Sequence, residues 1–265
     1  MLIFAVTNQK GGSGKTTTAV NLGAALGERG KRVLLVDLDS QASASSWLGV
    51  NDAGKEILEV FTEGRDLLSL VRETAAPGVD LIAASSWLVG VEKAMAGEVG
   101  GETIFRKALA ALPRGRWDFV LMDCPPSLGF LALSALVAAH EVLVPVETRV
   151  MALKGMADLV RTVERIQERL NPKLELSAVL ACRVDSRTNL SGEVVDRLRS
   201  RFGKRVLKAM VRENVRLAEA PSFAQPITVY APGSAGAEDY RAVAQELLGR
   251  ISRKNGARKK SQRRS

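Results

Sequence analysis

The chain has 265 residues, 46% of them apolar, which is enough for a sizeable core and excludes a disordered chain; at ~150 residues per domain it admits one large domain or two small ones. The net charge of +9 is uneven, because Ser252 to Ser265 holds Arg253, Lys254, Arg258, Lys259, Lys260, Arg263 and Arg264 with no acid, leaving +2 for residues 1–251. Cys124 and Cys182 are too far apart in sequence for a disulfide framework or a metal spacing, and the longest apolar stretch, Leu128 to Ala139, falls short of the ~20 residues of a membrane span.

Leu2 to Val6 reads as a buried strand. It runs into Lys10-Gly11-Gly12-Ser13-Gly14-Lys15-Thr16-Thr17. Thr18 to Glu28 follows with helical spacing through Ala19, Val20, Leu22, Gly23 and Leu26. Strand, glycine-rich loop, Gly-Lys-Thr and helix form the setting of a phosphate-binding P-loop. Glycines let backbone N–H groups turn inward around a phosphate, and the new helix N-terminus adds free donors and partial positive charge. Lys15 is placed to reach the β- and γ-phosphates as a point charge. The Thr16 hydroxyl is placed to ligate Mg²⁺, which takes hard oxygen ligands. The general motif carries glycine five residues before Gly14; here that residue is Gln9, and a second lysine, Lys10, stands at the leading edge of the loop.

Lys10 to Thr17 resembles the deviant Walker A loop of the ParA/MinD superfamily of P-loop ATPases. Asn8-Gln9 before it and Thr18-Ala19-Val20-Asn21-Leu22 after it narrow the resemblance to the ParA/Soj partition ATPases. The resemblance implies that the loop residues Lys10, Gly11, Gly12, Ser13, Gly14, Lys15, Thr16 and Thr17 hold ATP. It also implies that Lys10 reaches across a dimer interface to the partner's nucleotide.

Val33 to Val36 reads as a second buried strand, running into Asp37-Leu38-Asp39-Ser40-Gln41. In a doubly wound sheet the strand C-termini carry the ligand site, so both acids fall near the phosphates. The stretch is similar to the family's D-x-D-P-Q segment, with Ser40 in place of proline. By that resemblance Asp39 holds the attacking water and Asp37 supports the Mg²⁺ shell; read alone, Asp37 also fits a capping acid after a strand. Trp47 to Val50 and Ile57 to Phe61 look like short helical pieces, and Leu67 to Val71 like a short extended one. Pro77-Gly78 marks a turn, Val79 to Ala83 a strand, Trp87 to about Val99 a helical stretch broken by Gly100-Gly101, and Thr103 to Leu112 a helix. Trp117 to Met122 is another buried strand, ending in Asp123-Cys124-Pro125-Pro126. An apolar run closed by Asp is the Walker B pattern, whose carboxylate serves Mg²⁺. The segment also matches the family's D-x-P-P, whose prolines stiffen the loop.

His140, the only histidine, lacks a partner pattern and reads as structural. Val142 to Val146 is a strand; Leu153, Met156, Val160, Val163, Ile166 and Leu170 then stripe one face of a helix stopped by Asn171-Pro172. Leu176 to Leu180 is a strand, Val194, Leu198 and Phe202 mark a helix, Val206 to Val211 is a further strand, and Ala235 to Arg250 is the last helix. The seven or eight parallel-type strands alternate with helices. The expected fold is a single α/β P-loop domain over residues 1–251, a mostly parallel twisted sheet with helices on both faces. A basic tail over 252–265, too polar to pack, is expected to be disordered; it suits either polyanion binding or plain solubility.

Arg212 to Ser222 is similar to the R-N-V-R-L-S-E-A-P-S stretch of ParA/Soj proteins, with one inserted acid. By position in the family Arg212, Glu213 and Asn214 are adenine-site candidates, and ATP is favoured over GTP because no guanine-binding NKxD motif follows the 176–180 strand. Arginines matching Arg187 and Arg216 carry non-specific contacts to double-stranded DNA in Soj-like proteins; read alone, each is also an ordinary surface charge. The resemblance implies a weak, Mg²⁺-dependent ATPase with Lys10, Lys15 and Asp39 catalytic and Thr16, Asp37 and Asp123 serving the metal. It implies an ATP-bound homodimer, a ParB-type activating partner, and a place in chromosome or plasmid partition. The strand at the N-terminus leaves no secretory signal and no room for a helix-turn-helix, so a cytoplasmic, nucleoid-associated location and phosphate-directed DNA binding are expected. A MinD-like or other cargo-positioning ATPase is the alternative, although the tail lacks large apolar residues for membrane binding after Ile251. An Fe–S relative would need cysteines at another spacing.

Overall fold

The computed structural model describes residues 1–149, 154–185 and 187–262. Leu153 of the striped helix, Ser186, and Arg263 to Ser265 of the tail lie outside the described residues. Seven strands form one sheet: β1 (Leu2–Val6), β2 (Val33–Asp37), β3 (Arg72–Glu73), β4 (Val79–Ile82), β5 (Phe119–Asp123), β6 (Glu141–Glu147) and β7 (Glu175–Cys182), in the order β3-β4-β2-β5-β1-β6-β7. Neighbours are parallel except the short edge strand β3, which runs antiparallel to β4.

Both faces of the sheet are covered, which is why its central strands read as unbroken apolar runs. In β2, Leu34 and Val36 point into one core and Val33 and Leu35 into the other. The first core takes α3 (Glu56–Thr62), α4 (Val89–Ala94), α5 (Ile104–Ala111), α6 (Phe130–Ala138), α7 (Lys154–Arg169) and α8 (Asn189–Phe202). The second takes α1 (Lys15–Gly27), α2 (Ser43–Trp47), α9 (Val215–Glu219), α10 (Ile227–Tyr230) and α11 (Ala235–Gln262). The α7 stripe is buried at Met156, Val163 and Ile166, with Leu159 joining them. Cys124 and Cys182 are buried free thiols. His140 is structural: its Nδ1 accepts the Ile3 N–H at 3.1 Å.

Four expectations are corrected. Leu67–Leu70 is a 3-10 turn and not extended, because the Asp66 side chain accepts the Leu68 N–H and caps it. The stretch from Trp87 is helical only to Ala94, preceded by a 3-10 turn at Ser86–Leu88, and the chain then winds through Gly97 and Gly100, both at positive φ. Val206 to Val211 does not form an eighth strand. It touches β7 at one isolated bridge, Val179 to Val206, and a second bridge, Val184 to Arg212, follows just beyond both segments. Between them the Lys208 and Ala209 N–H groups turn away to Glu246 Oε2 of α11, at 2.8 and 2.9 Å. Finally, α11 continues past residue 251, where the domain was expected to end and a disordered tail to begin. Its Lys254 Nζ pairs with Glu141 Oε1 at 2.8 Å and with Glu175 Oε2 at 2.5 Å, so charge pairing fastens that turn where apolar packing does not.

Candidate functional site

The loop between β1 and α1 lies at the carboxyl end of the sheet, where parallel α/β folds place their ligands. Gly12 and Gly14 hold φ of 71° and 89°, a region side-chain-bearing residues rarely adopt, so the loop's curl depends on them. Asn8 fastens the start of the loop to β6. Its amide donates to the Pro145 carbonyl at 2.7 Å, and its Oδ1 accepts the Lys10 N–H at 3.1 Å. Lys15 is only 7% exposed, and its Nζ donates to the Lys10 carbonyl at 3.4 Å. Burial lowers its pKa, against the opposing pull of Asp123 and Asp39.

The register of β2 against β5 sets Asp37 beside Asp123. Both are fully buried. Asp37 Oδ1 accepts the Asp39 N–H at 3.1 Å, and Oδ2 accepts the Ser45 N–H and hydroxyl at 2.9 and 2.8 Å. Burial nevertheless pushes its carboxyl up to about 6. Neither oxygen of Asp123 has a hydrogen-bond partner. Burial, and then the Asp37 charge, drive its carboxyl well above the usual range; the Thr16 hydroxyl lies near enough to oppose this in part without closing a formed bond. A buried carboxylate without a protein donor, beside a threonine hydroxyl at the head of a P-loop helix, is the donor chemistry of a site for a hard cation. The residues present therefore fit Mg²⁺, with Thr16 and Asp123 to hold it.

A cleft of about 570 Å³ opens over the loop. Gly11 to Thr17 and Asp39 line one side, and Arg183, Arg212, Glu213, Asn214 and Tyr240 line the other. The structure thus brings together the loop, Asp39 and the 212–214 segment. The far wall is braced from α11. Asp239 accepts the Arg212 N–H at 2.9 Å and pairs with its guanidinium at 2.7 Å, so that side chain is committed to the fold. The Asn214 Oδ1 caps α9 by accepting the Arg216 N–H at 2.9 Å. The Tyr240 hydroxyl meets the Thr18 hydroxyl at 3.3 Å. Cys182, also in the lining, is pushed up to about 12 by burial and is a packing thiol.

Arg187 and Arg216 stand outside this cleft on the surface. Arg187 is 86% exposed and pairs with Asp185 at 2.9 Å, which holds that carboxyl at about 2. Arg216 pairs with Glu219 at 2.9 Å. Several contributors carry no sequence signal: Ser45, which satisfies Asp37; Asp239 and Tyr240, far along the chain; and Glu147 at the end of β6, which binds the Lys10 ammonium at 3.1 Å. Only the place of Glu147 at a strand's carboxyl end pointed toward the site.

A family model described as an AAA domain matches residues 1–176. The sporulation initiation inhibitor protein Soj of Bacillus subtilis is 41% identical over 92% of this chain and 97% of its own length. The chromosome-partitioning ATPase Soj of Thermus thermophilus is 45% identical over 94% and 96%. Among solved structures, one described as cobyrinic acid a,c-diamide synthase from Mycobacterium smegmatis, with bound ATP analog and magnesium, superposes with a TM-score of 0.82. That structure is 36% identical and covers 94% of each chain. With the deviant P-loop on β1, the paired aspartates on β2 and β5 and full-length likeness to Soj proteins, this chain belongs to the ParA/Soj family within the ParA/MinD superfamily of P-loop ATPases.

Proposed function

We propose that the protein is a partition ATPase that binds ATP with Mg²⁺ and pairs two subunits around the nucleotide. The observation that carries this reading is the orphaned, buried Asp123 carboxylate beside Thr16, under the cleft that Thr16, Lys15 and Asp39 line. Lys15, already desolvated, meets the phosphates as a point charge, and the loop amides accept the remaining negative charge. Mg²⁺, when bound, adds positive charge against the phosphate oxygens. Asp39 orients the attacking water from the rim of the cleft. Lys10 crosses to the partner's nucleotide and neutralises charge developing on the transferred phosphoryl, the role an arginine finger plays in other P-loop enzymes. Arg212, Glu213 and Asn214 form the adenine side of the cleft, largely through their backbone, since the Arg212 guanidinium is held by Asp239.

In the same reading the paired subunits lay Arg187 and Arg216 of each copy on duplex DNA through phosphate contacts, so affinity falls steeply with salt and ignores sequence. A ParB-type partner stimulates hydrolysis and releases the DNA. A MinD-like role at a membrane is the other class; no helix among the described residues is long and apolar enough to cross one. The test is an ATPase assay on purified protein with and without duplex DNA, beside sedimentation with and without ATP. Lys10→Ala is expected to cut turnover by at least ~100-fold, in line with the loss of a transition-state cation. Undiminished turnover in that variant, or DNA binding equal with and without ATP, would count against the reading.

A further inference from the structure

Lys10 is held firmly within its own subunit. Its Nζ lies 3.1 Å from Glu147 Oε2, its N–H donates to Asn8, and its carbonyl accepts the Lys15 ammonium. Glu147 is an unusual partner for it. The carboxylate is 6% exposed and has three cations around it. Lys10 takes Oε2 alone, while Arg149 Nε and a guanidinium nitrogen of Arg183 approach Oε1 at 2.9 and 3.1 Å. A buried carboxylate left without a partner is costly. Here it would not be left alone: two guanidinium groups stay on it if the lysine departs. Lys10 is the one cation of the three that sits on an oxygen of its own, so its departure leaves both guanidinium groups on Oε1 undisturbed. Arg183 meanwhile has a second contact, from its guanidinium to Glu213 at 3.3 Å.

We propose that Glu147 is the resting berth of Lys10, a positioning residue that holds the lysine in its own subunit and so opposes pairing of the subunits until ATP is bound. The proposal rests on the reading that Lys10 acts across the interface. The trigger is on the same loop. Lys15 holds the Lys10 carbonyl only while its ammonium has no phosphate to meet. A triphosphate in the cleft draws Lys15 away, loosens the backbone of Lys10 and leaves the Glu147 contact as the last restraint. Each dimer releases two such contacts, so a modest pair in each subunit weighs twice on the association.

The experiment is sedimentation equilibrium of the full chain with Mg²⁺ and ATP, in an Asp39→Ala background that blocks turnover. Glu147→Gln keeps the side chain's shape and removes its charge. It is expected to lower the dimer dissociation constant by about tenfold. In a Lys10→Gln background the same substitution is expected to change nothing, because the two residues act as one unit. An equal shift in both backgrounds, or no shift in either, would overturn the berth and leave the wider reading intact. ATPase and dimerisation undisturbed by Lys10→Gln itself, measured with Asp39 in place, would instead overturn the crossing lysine. Should Glu147→Gln fail to fold, Glu147→Asp retains the charge but withdraws it by one methylene; it is expected to shift the constant in the same direction by less, and no shift there counts as the negative result.

Discussion

The phosphate end of the cleft and its far wall treat their polar groups in opposite ways. On the far wall each one has a partner from the chain itself. Asp239 holds Arg212, Asn214 caps α9, and Glu246 receives two amides and the Arg250 guanidinium. At the phosphate end, Asp123 has no partner, the Ser13 hydroxyl has none, and Lys15 settles for a carbonyl at 3.4 Å. Buried polar groups left unmet in a folded protein ask for an explanation. Glu56, Arg72, Ser134 and Thr228 each leave one such atom elsewhere in the fold, but around the cleft the unmet groups fall at the P-loop end and the met ones on the opposite wall. The two aspartates on β2 and β5 draw the contrast within a single pair in register, since Asp37 is saturated and Asp123 is not.

The largest way to break this comparison is Asp123→Asn. If the orphaned carboxylate serves Mg²⁺, turnover falls by about a hundredfold or more, as expected when a metal's charge is lost. The same change should stabilise the free protein, because it removes from a dry site a carboxyl whose ionised form burial disfavours. The gain is expected to be on the order of 1–3 kcal/mol at pH 8, read from thermal or urea unfolding without nucleotide. The pH dependence follows from the sign of the shifts. Both carboxyls have folded pKa values above their unfolded value of 3.8, so each contributes stability that is complete below that value and is lost as the pH rises through the folded one. For Asp37 the loss falls between 3.8 and about 6 and is on the order of 3 kcal/mol; Asp123 extends the decline to higher pH. Unfolding measured from pH 5 to 8 should therefore show falling stability, with a shallower fall in Asp123→Asn. A variant less stable than the parent at pH 8 would show that Asp123 is satisfied by the protein after all.

Ser45→Ala probes the saturated member of the pair. The Ser45 hydroxyl donates to Asp37 and also accepts the buried Ala84 N–H at 2.8 Å, so its loss strands two groups at once. The expected cost is about 2–3 kcal/mol in unfolding. Loss of the hydroxyl donor also raises the Asp37 carboxyl further, moving its titration step toward neutral pH. A cost below about 0.5 kcal/mol would mean that the register of β2 and β5, rather than Ser45, keeps Asp37 in place.

What could be read from the residues follows the same division. The P-loop and the ends of β2 and β5 are contiguous stretches with distinctive residues at fixed spacing, so Lys10 to Thr17, Asp37, Asp39 and Asp123 stand out in the sequence as candidates, and the strand register brings them to one end of the sheet. The parallel sheet was visible because its central strands are buried on both faces. Of the far wall, Arg212 to Asn214 were legible through the resemblance, but their main brace was not, because Asp239 lies 27 residues from Arg212 and Glu246 lies 38 from Lys208. Nothing in the spacing of Lys208 and Glu246 announces that one carboxylate takes two amides and so prevents an eighth strand. The apolar run of Val206 to Val211, broken only by Lys208, favoured a strand, and tertiary hydrogen bonds to Glu246 overrode it. Glu147 was missed for a related reason: a lone acid ending a strand has no pattern until the fold sets Lys10, Arg149 and Arg183 around it.

The smallest effect sharpens the far side of the comparison. Glu246 is partly buried, and burial alone would raise its carboxyl. The amides of Ala209 and Lys208 and the Arg250 guanidinium outweigh that and hold it below the usual range. A depressed carboxyl contributes stability above its unfolded value of 4.5 that is lost as the pH falls through the folded one, opposite in sign to the Asp37 and Asp123 pair. Glu246→Ala is expected to cost about 1–2 kcal/mol at pH 7 and less as the solution is acidified. Because Glu246 shapes only the run leading to Val211 and Arg212 in the cleft lining, nucleotide affinity should weaken by no more than a few-fold while turnover at saturating ATP stays the same. A large fall in turnover would mean that the far wall takes part in the chemistry, and the division drawn between the two ends of the cleft would fail.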